Sequence, residues 1–134
     1  MSTFRDSAHA VEFLRPFYEE SASHAKFLAG SGAILAYTLT DPEVRIVIDG
    51  SIEPRSGHGL DYYINDPNAP APHVEFFMDA DTFHRLHLGE VQPMALVLSG
   101  KVKTKGDVSA AMRLLPAMGA AVQMYKAYCA AHPL

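Results

Sequence analysis

The apolar residues of this chain switch between a two-residue and a helical period along its length, and that order limits what it can fold into. In the middle the period is two. Ala33 to Thr40 reads as a strand with Leu35, Tyr37 and Leu39 on one face, and Val44 to Ile48 as a strand with Val44, Ile46 and Ile48 on one face. Asp41-Pro42 marks a turn between them, and Asp49-Gly50, a dipeptide that favours tight hairpins, ends the second. Residues 51–59 read as a loop. Leu60 to Ile64 and His73 to Met78 are further strands, separated by the proline-rich loop Asn65 to Pro72.

On both sides the period is helical. Residues 7–29 carry Val11, Leu14 and Phe17 or Tyr18 at helical spacing behind a capping Ser7. Pro16 predicts a break into two short helices, and Gly30-Ser31-Gly32 a stop. After the fourth strand, Asp79 or Asp81 caps a helix over Thr82 to Leu88 that Gly89 ends, and Pro93 opens another to about Leu98. Lys101 to Lys105 alternates again as a strand. Gly106 turns the chain, and Asp107 caps a last helix that Pro116 breaks or restarts. That helix places Val108, Ala111, Met112 and Leu115, then Met118, Ala121, Val122, Tyr125 and Cys129, on an apolar arc wider than a surface helix needs, so it covers a core, a ligand or a partner. Strands in a row followed by isolated helices predict an α+β fold, with helices over one face of a mostly antiparallel sheet.

The 134 residues form one domain, 1–134, large enough to bury a core without staples. A single cysteine excludes an internal disulfide and a four-cysteine zinc site. A net charge of −4 argues against phosphate-neutralising nucleic-acid binding. The charged first twenty residues leave no room for a signal peptide, and no stretch is apolar enough to span a membrane; the expected location is cytoplasmic.

No catalytic signature stands out. His84 and His87 share a helix face as a metal pair would, but no third ligand lies nearby, so they read as exposed histidines and no metal is assigned. Cys129 sits among alanines with nothing to lower its pKa. No serine stands in a nucleophile elbow, and no glycine pattern completes a nucleotide loop; no cofactor is expected. Lys101, Lys103 and Lys105 share one strand face, which reads as a guarded sheet edge or as a cationic rim for anionic head groups.

Leu98-Ser99-Gly100-Lys101-Val102-Lys103-Thr104-Lys105-Gly106-Asp107, followed by Ala110, Ala111, Met112, Arg113 and Leu114, resembles the sterol carrier protein 2 family. Phe76 to Asp81, Phe83 to Gly89, Pro93 and Ala95 fit that family's strand, short helix, Leu-Gly break and second short helix. Residues 51–73 form a longer connection, rich in glycine and proline, than the family's. The resemblance implies a mixed five-stranded sheet, an apolar tunnel between sheet and helices, and a lipid such as a sterol, fatty acid or acyl-CoA as ligand. Periodicity nominates Leu35, Tyr37, Phe83, Leu86, Met94, Leu98, Met112, Leu115, Met118, Val122 and Tyr125 as its walls, with Lys101, Lys103 and Lys105 as a head-group rim. The alternative is an accessory module that docks a partner enzyme or forms a homodimer, with Met124 and Tyr128 on the contact face.

Overall fold

The computed structural model describes residues 3–24, 33–50 and 61–133, except the side chains of 21–24, 108, 110–118 and 120. Helix α1 spans Ser7–His24, and strands β1 and β2 span Ile34–Thr40 and Val44–Asp49. Strands β3 (Asp61–Ile64) and β4 (Val74–Asp79) follow. Short helices α2 (Ala80–His87) and α3 (Pro93–Ser99) lead to strand β5 (Lys103–Gly106) and helix α4 (Val108–Ala131).

The strands form one mixed sheet in the order β3-β2-β1-β4-β5, with β1 and β4 parallel at its centre and the other pairings antiparallel. Register turns alternation into a continuous apolar face. Leu35, Tyr37 and Leu39 stand beside Ile48, Ile46 and Val44 on one side and beside Val74, Phe76 and Met78 on the other. Tyr62 and Ile64 extend the row on β3. All the helices that touch the sheet serve this face: α1 lies against β2 and β3, α2 against β1 and β4, and α4 against β4, α1 and α2.

The opposite face is polar at its centre. The Thr38 hydroxyl donates to Glu75, and Arg45 Nε stands 3.6 Å from the same carboxylate. Residue 104 is opposite Phe76, so Lys103 and Lys105 sit opposite Phe77 and Glu75, on the face away from the core.

Local chemistry explains the turns. Asp79 caps α2 by accepting from the Thr82 amide at 2.6 Å. Pro93 occupies the first turn of α3, and Gly100 closes it in the left-handed region, φ 81°. Gly106 is required at φ 102°, because a Cβ there would lie 2.3 Å from the His73 carbonyl oxygen. The two chain segments touch at this point, where the Asp107 amide donates to that carbonyl at 2.8 Å.

Three local expectations are corrected. Pro16 does not break α1, which is continuous from Ser7 to His24. Proline at 16 removes the bond to the carbonyl of Glu12; both residues are exposed, so water can take the partner's place. Pro116 likewise lies inside a continuous α4, whose later turns are fixed by buried Tyr125 and Tyr128. Asp49-Gly50 does not make a tight hairpin. Asp49 pairs with Asp61, and the Gly50 amide goes back to the Ala33 carbonyl at 2.9 Å, prolonging the β1–β2 ladder. The Gly30-Ser31-Gly32 stop and the loop over 51–59 lie outside the described residues.

Candidate functional site

Aromatic rings from three helices and the sheet meet over the apolar face. On α1, Phe13 and Phe17 are one helical turn apart and face the same way. Phe17 meets Tyr125 of α4 edge-on at 5.0 Å, and Phe13 meets Tyr128 at 5.1 Å. Below them Tyr37 of β1 packs on Phe83 of α2 at 5.2 Å. Phe4, ahead of α1, is fully buried against Phe13.

The polar tips of this cluster are largely tied down. The Tyr128 hydroxyl donates to the Phe13 carbonyl at 2.6 Å. Tyr125 and His84 Nδ1 share a hydrogen bond of 2.8 Å. His87 Nδ1 donates to the Phe83 carbonyl at 2.9 Å. One group breaks the rule: the hydroxyl of Tyr18, on a residue only 4% exposed, has no hydrogen-bond partner among the described residues. An unmade bond in such a place costs about 1–3 kcal/mol.

Burial keeps this interior uncharged. It pushes Tyr18 well above the ordinary tyrosine range, with neighbouring Tyr37 adding to the effect, and pushes Tyr37 up to about 12. Tyr125 is pushed far up by the same cause and then by Cys129. His87 is held down at about 4 by loss of water, against the opposing hydrogen bond to Phe83. His84 is lowered by burial, against the pull of Glu90 and Asp81. At neutral pH the cluster is therefore an apolar wall of neutral rings carrying one unused hydroxyl.

The structure brings five nominated wall residues together in the core: Leu35, Tyr37, Phe83, Leu86 and Tyr125. Val122 is half-buried and lies against Gly89. The side chains of Met112, Leu115 and Met118 are outside the described residues. Met94 and Leu98 stand in solvent, because α3 turns only Leu96 inward. Lys101, Lys103 and Lys105 are exposed, and the latter two project from the sheet face away from the aromatic cluster.

The histidines are corrected: His87 is buried and His84 half-buried, each with Nδ1 engaged within the protein. Among the described residues no group of three His, Cys, Asp or Glu is placed to hold a metal. Tyr128 is also corrected, since it is turned inward onto α1 rather than outward to a contact face. Sequence reasoning passed over Phe4 and Phe13 and left Phe17 and Tyr18 as alternatives. The four-residue spacing of Phe13 and Phe17, matched by the three-residue spacing of Tyr125 and Tyr128, was the available signal.

A cleft of about 290 Å³ lies on the polar sheet face, lined by Arg45, Val47, Tyr63 and the loop from Asn65 to Ala69. It brings together neither a nucleophile with a base nor a set of metal ligands.

Comparison with known proteins agrees with this fold. The model of the SCP-2 sterol transfer family matches residues 13–118. The solution structure of sterol carrier protein domain 2 of Helicoverpa armigera has a TM-score of 0.64 at 16% identity, over 92% of this chain and 94% of that one. The apo form of sterol carrier protein 2 from Yarrowia lipolytica has a TM-score of 0.56 at 17% identity, over 90% of this chain and 91% of that one. An inverting sec-alkylsulfatase of a Pseudomonas species matches over 73% of this chain but 13% of its own, with a TM-score of 0.50 at 17% identity. No curated protein matches the chain in sequence.

Proposed function

From the chain's membership of the SCP-2 sterol transfer family, which the match over residues 13–118 establishes, we propose that it binds one lipid or other hydrophobic ligand, such as a sterol, fatty acid or fatty acyl-CoA, in an apolar tunnel between sheet and helices. The observation that carries this reading is the Tyr18 hydroxyl, unpaired inside a neutral aromatic interior. A ligand with a long apolar body and one polar end supplies what that hydroxyl lacks. The apolar body does the rest, at about 0.8 kcal/mol per buried CH2, with no fixed polar network needed. Leu35, Tyr37, Phe83 and Leu86 form one wall in this proposal, and Met112, Leu115, Met118, Val122 and Tyr125 of α4 form the other. Met94 and Leu98, being exposed, have no part in it.

The test is to extract the purified protein with organic solvent, analyse what is released by mass spectrometry, and titrate the apo protein with a fluorescent fatty acid and a fluorescent sterol. A stoichiometric lipid, or saturable probe binding weakened roughly tenfold in Tyr18→Phe, is the expected result. An empty extract with no probe binding would sink the reading. It would favour the second reading, an accessory module, which is supported by the sulfatase, where the similar part is a small fraction of a much longer chain.

A further inference from the structure

The strands sort their charges between the two faces of the sheet. Arg45 and Asp49 of β2, Asp61 of β3, Glu75 and Asp79 of β4, and Lys103 and Lys105 of β5 all take register positions on the face away from the helices. The inner face, from Tyr62 and Ile64 of β3 across to Thr104 of β5, carries no ionisable group except the phenols of Tyr37 and Tyr62. Helix α1 continues the pattern. Its charged residues Glu12, Arg15, Glu19 and Glu20 are exposed, while Phe13, Leu14, Phe17 and Tyr18 are buried. Among the described residues the buried carboxylates are Asp49 and Asp61, both on the outer face, and the buried histidine, His87, is held neutral by loss of water.

Tyr18 stands inside this uncharged layer. Its ring stacks on Tyr62 at 6.0 Å and meets Phe17 edge-on at 5.0 Å. Tyr62 has its own partner at the rim: its hydroxyl donates to Glu19, and exposed Arg15 acts on that same hydroxyl. The Tyr18 hydroxyl has no hydrogen-bond partner among the described residues, and the ionisable neighbour that acts on it is Tyr37, a second phenol. Burial keeps the Tyr18 hydroxyl protonated, so what it offers is one donor in a place without a counter-charge.

Resting on the lipid-binding reading above, we propose that the site selects ligands whose polar end is uncharged: a hydroxyl or ketone oxygen that accepts from the Tyr18 hydroxyl, rather than a carboxylate. A neutral oxygen is satisfied by the single hydrogen bond that a phenol supplies. A carboxylate in the same surroundings needs several donors or a cation to stay ionised, and without them it enters only as the protonated acid. At pH ~7.5 roughly one carboxyl in a thousand carries its proton, so the charge alone sets a large handicap.

The experiment is calorimetric titration of the full, delipidated chain at that pH with decanol, methyl octyl ketone and decanoate, three ligands of matched length. The alcohol and the ketone are expected to bind at least roughly a hundredfold more tightly than decanoate. Tyr18→Phe should weaken both neutral ligands roughly tenfold. That variant removes a hydroxyl that makes no bond within the protein, so it should melt at or above the wild-type temperature, and its loss of binding is not a loss of fold. Decanoate bound as tightly as decanol would overturn the selectivity while leaving the lipid-binding reading in place. Neutral ligands bound equally by wild type and Tyr18→Phe would do the same. Absence of binding by all three would overturn both.

Discussion

Helices α2 and α3 follow one another in the chain, are eight and seven residues long, and meet opposite fates. Ala80, Phe83, Leu86 and His87 of α2 are all buried, and its N-cap is completed by the Asp79 side chain. In α3 Leu96 is the buried residue, the N-cap Gln92 makes no side-chain bond, and Met94, Val97 and Leu98 face water. Helix α2 is amphipathic, but α3, PMALVLS, is apolar on nearly every side, so its sequence does not say which face is the inner one. The decision comes from anchorage. Helix α2 leaves β4 directly and is laid across the apolar sheet face, whereas α3 is fastened by Leu96 beside the edge strand.

If this contrast is right, substitutions in the two helices should separate widely in effect. Phe83→Ala, at a fully buried ring, should destabilise by about 4 kcal/mol in denaturant unfolding. Acid should act next. The folded pKa of His87, about 4, lies below the unfolded value near 6.5, so the buried neutral ring contributes stability above pH 6.5 that is lost as pH falls towards 4. That loss amounts to about 3 kcal/mol, and a stability–pH profile of His87→Leu should lack this part of it. Asp79→Ala removes the cap from α2 and should cost about 1 kcal/mol. Leu98→Gln on α3 should stay within about 0.5 kcal/mol of wild type. A Leu98→Gln variant as damaged as Phe83→Ala would mean that this face of α3 is part of the core after all.

The same contrast explains what could be read in advance. The α+β class, the strands near their observed bounds and the two short helices were legible, because each rests on local alternation or on caps such as Asp79, Pro93 and Gly106. The two prolines misled, because Pro16 sits on a solvent-facing stretch of a helix that tertiary contacts hold together. The site was less legible. Period alone put Leu35, Tyr37, Phe83, Leu86 and Tyr125 on apolar faces, and all five are in the buried cluster. Met94 and Leu98 failed because their period is correct but their face is set by Leu96 and Val102. His87 was misjudged because its partner is a backbone carbonyl of its own helix, which no side-chain pattern records. The unpaired hydroxyl of Tyr18 depends on every neighbouring element at once, so no local signal could announce it.

The parallel pairing of β1 with β4 at the centre of the sheet has a kinetic side. The β1–β2 hairpin is local and can close early, but the ladder from Leu35–Val74 to Thr40–Asp79 cannot form until everything between Thr40 and Val74 has been looped out. Closing that loop is the slow search in assembling the molecule, yet its entropy grows only with the logarithm of its length. Doubling it adds about 0.6 kcal/mol. The connections within this stretch, outside β2 and β3, can therefore lengthen or shorten at small thermodynamic cost, leaving the buried face of the sheet in register.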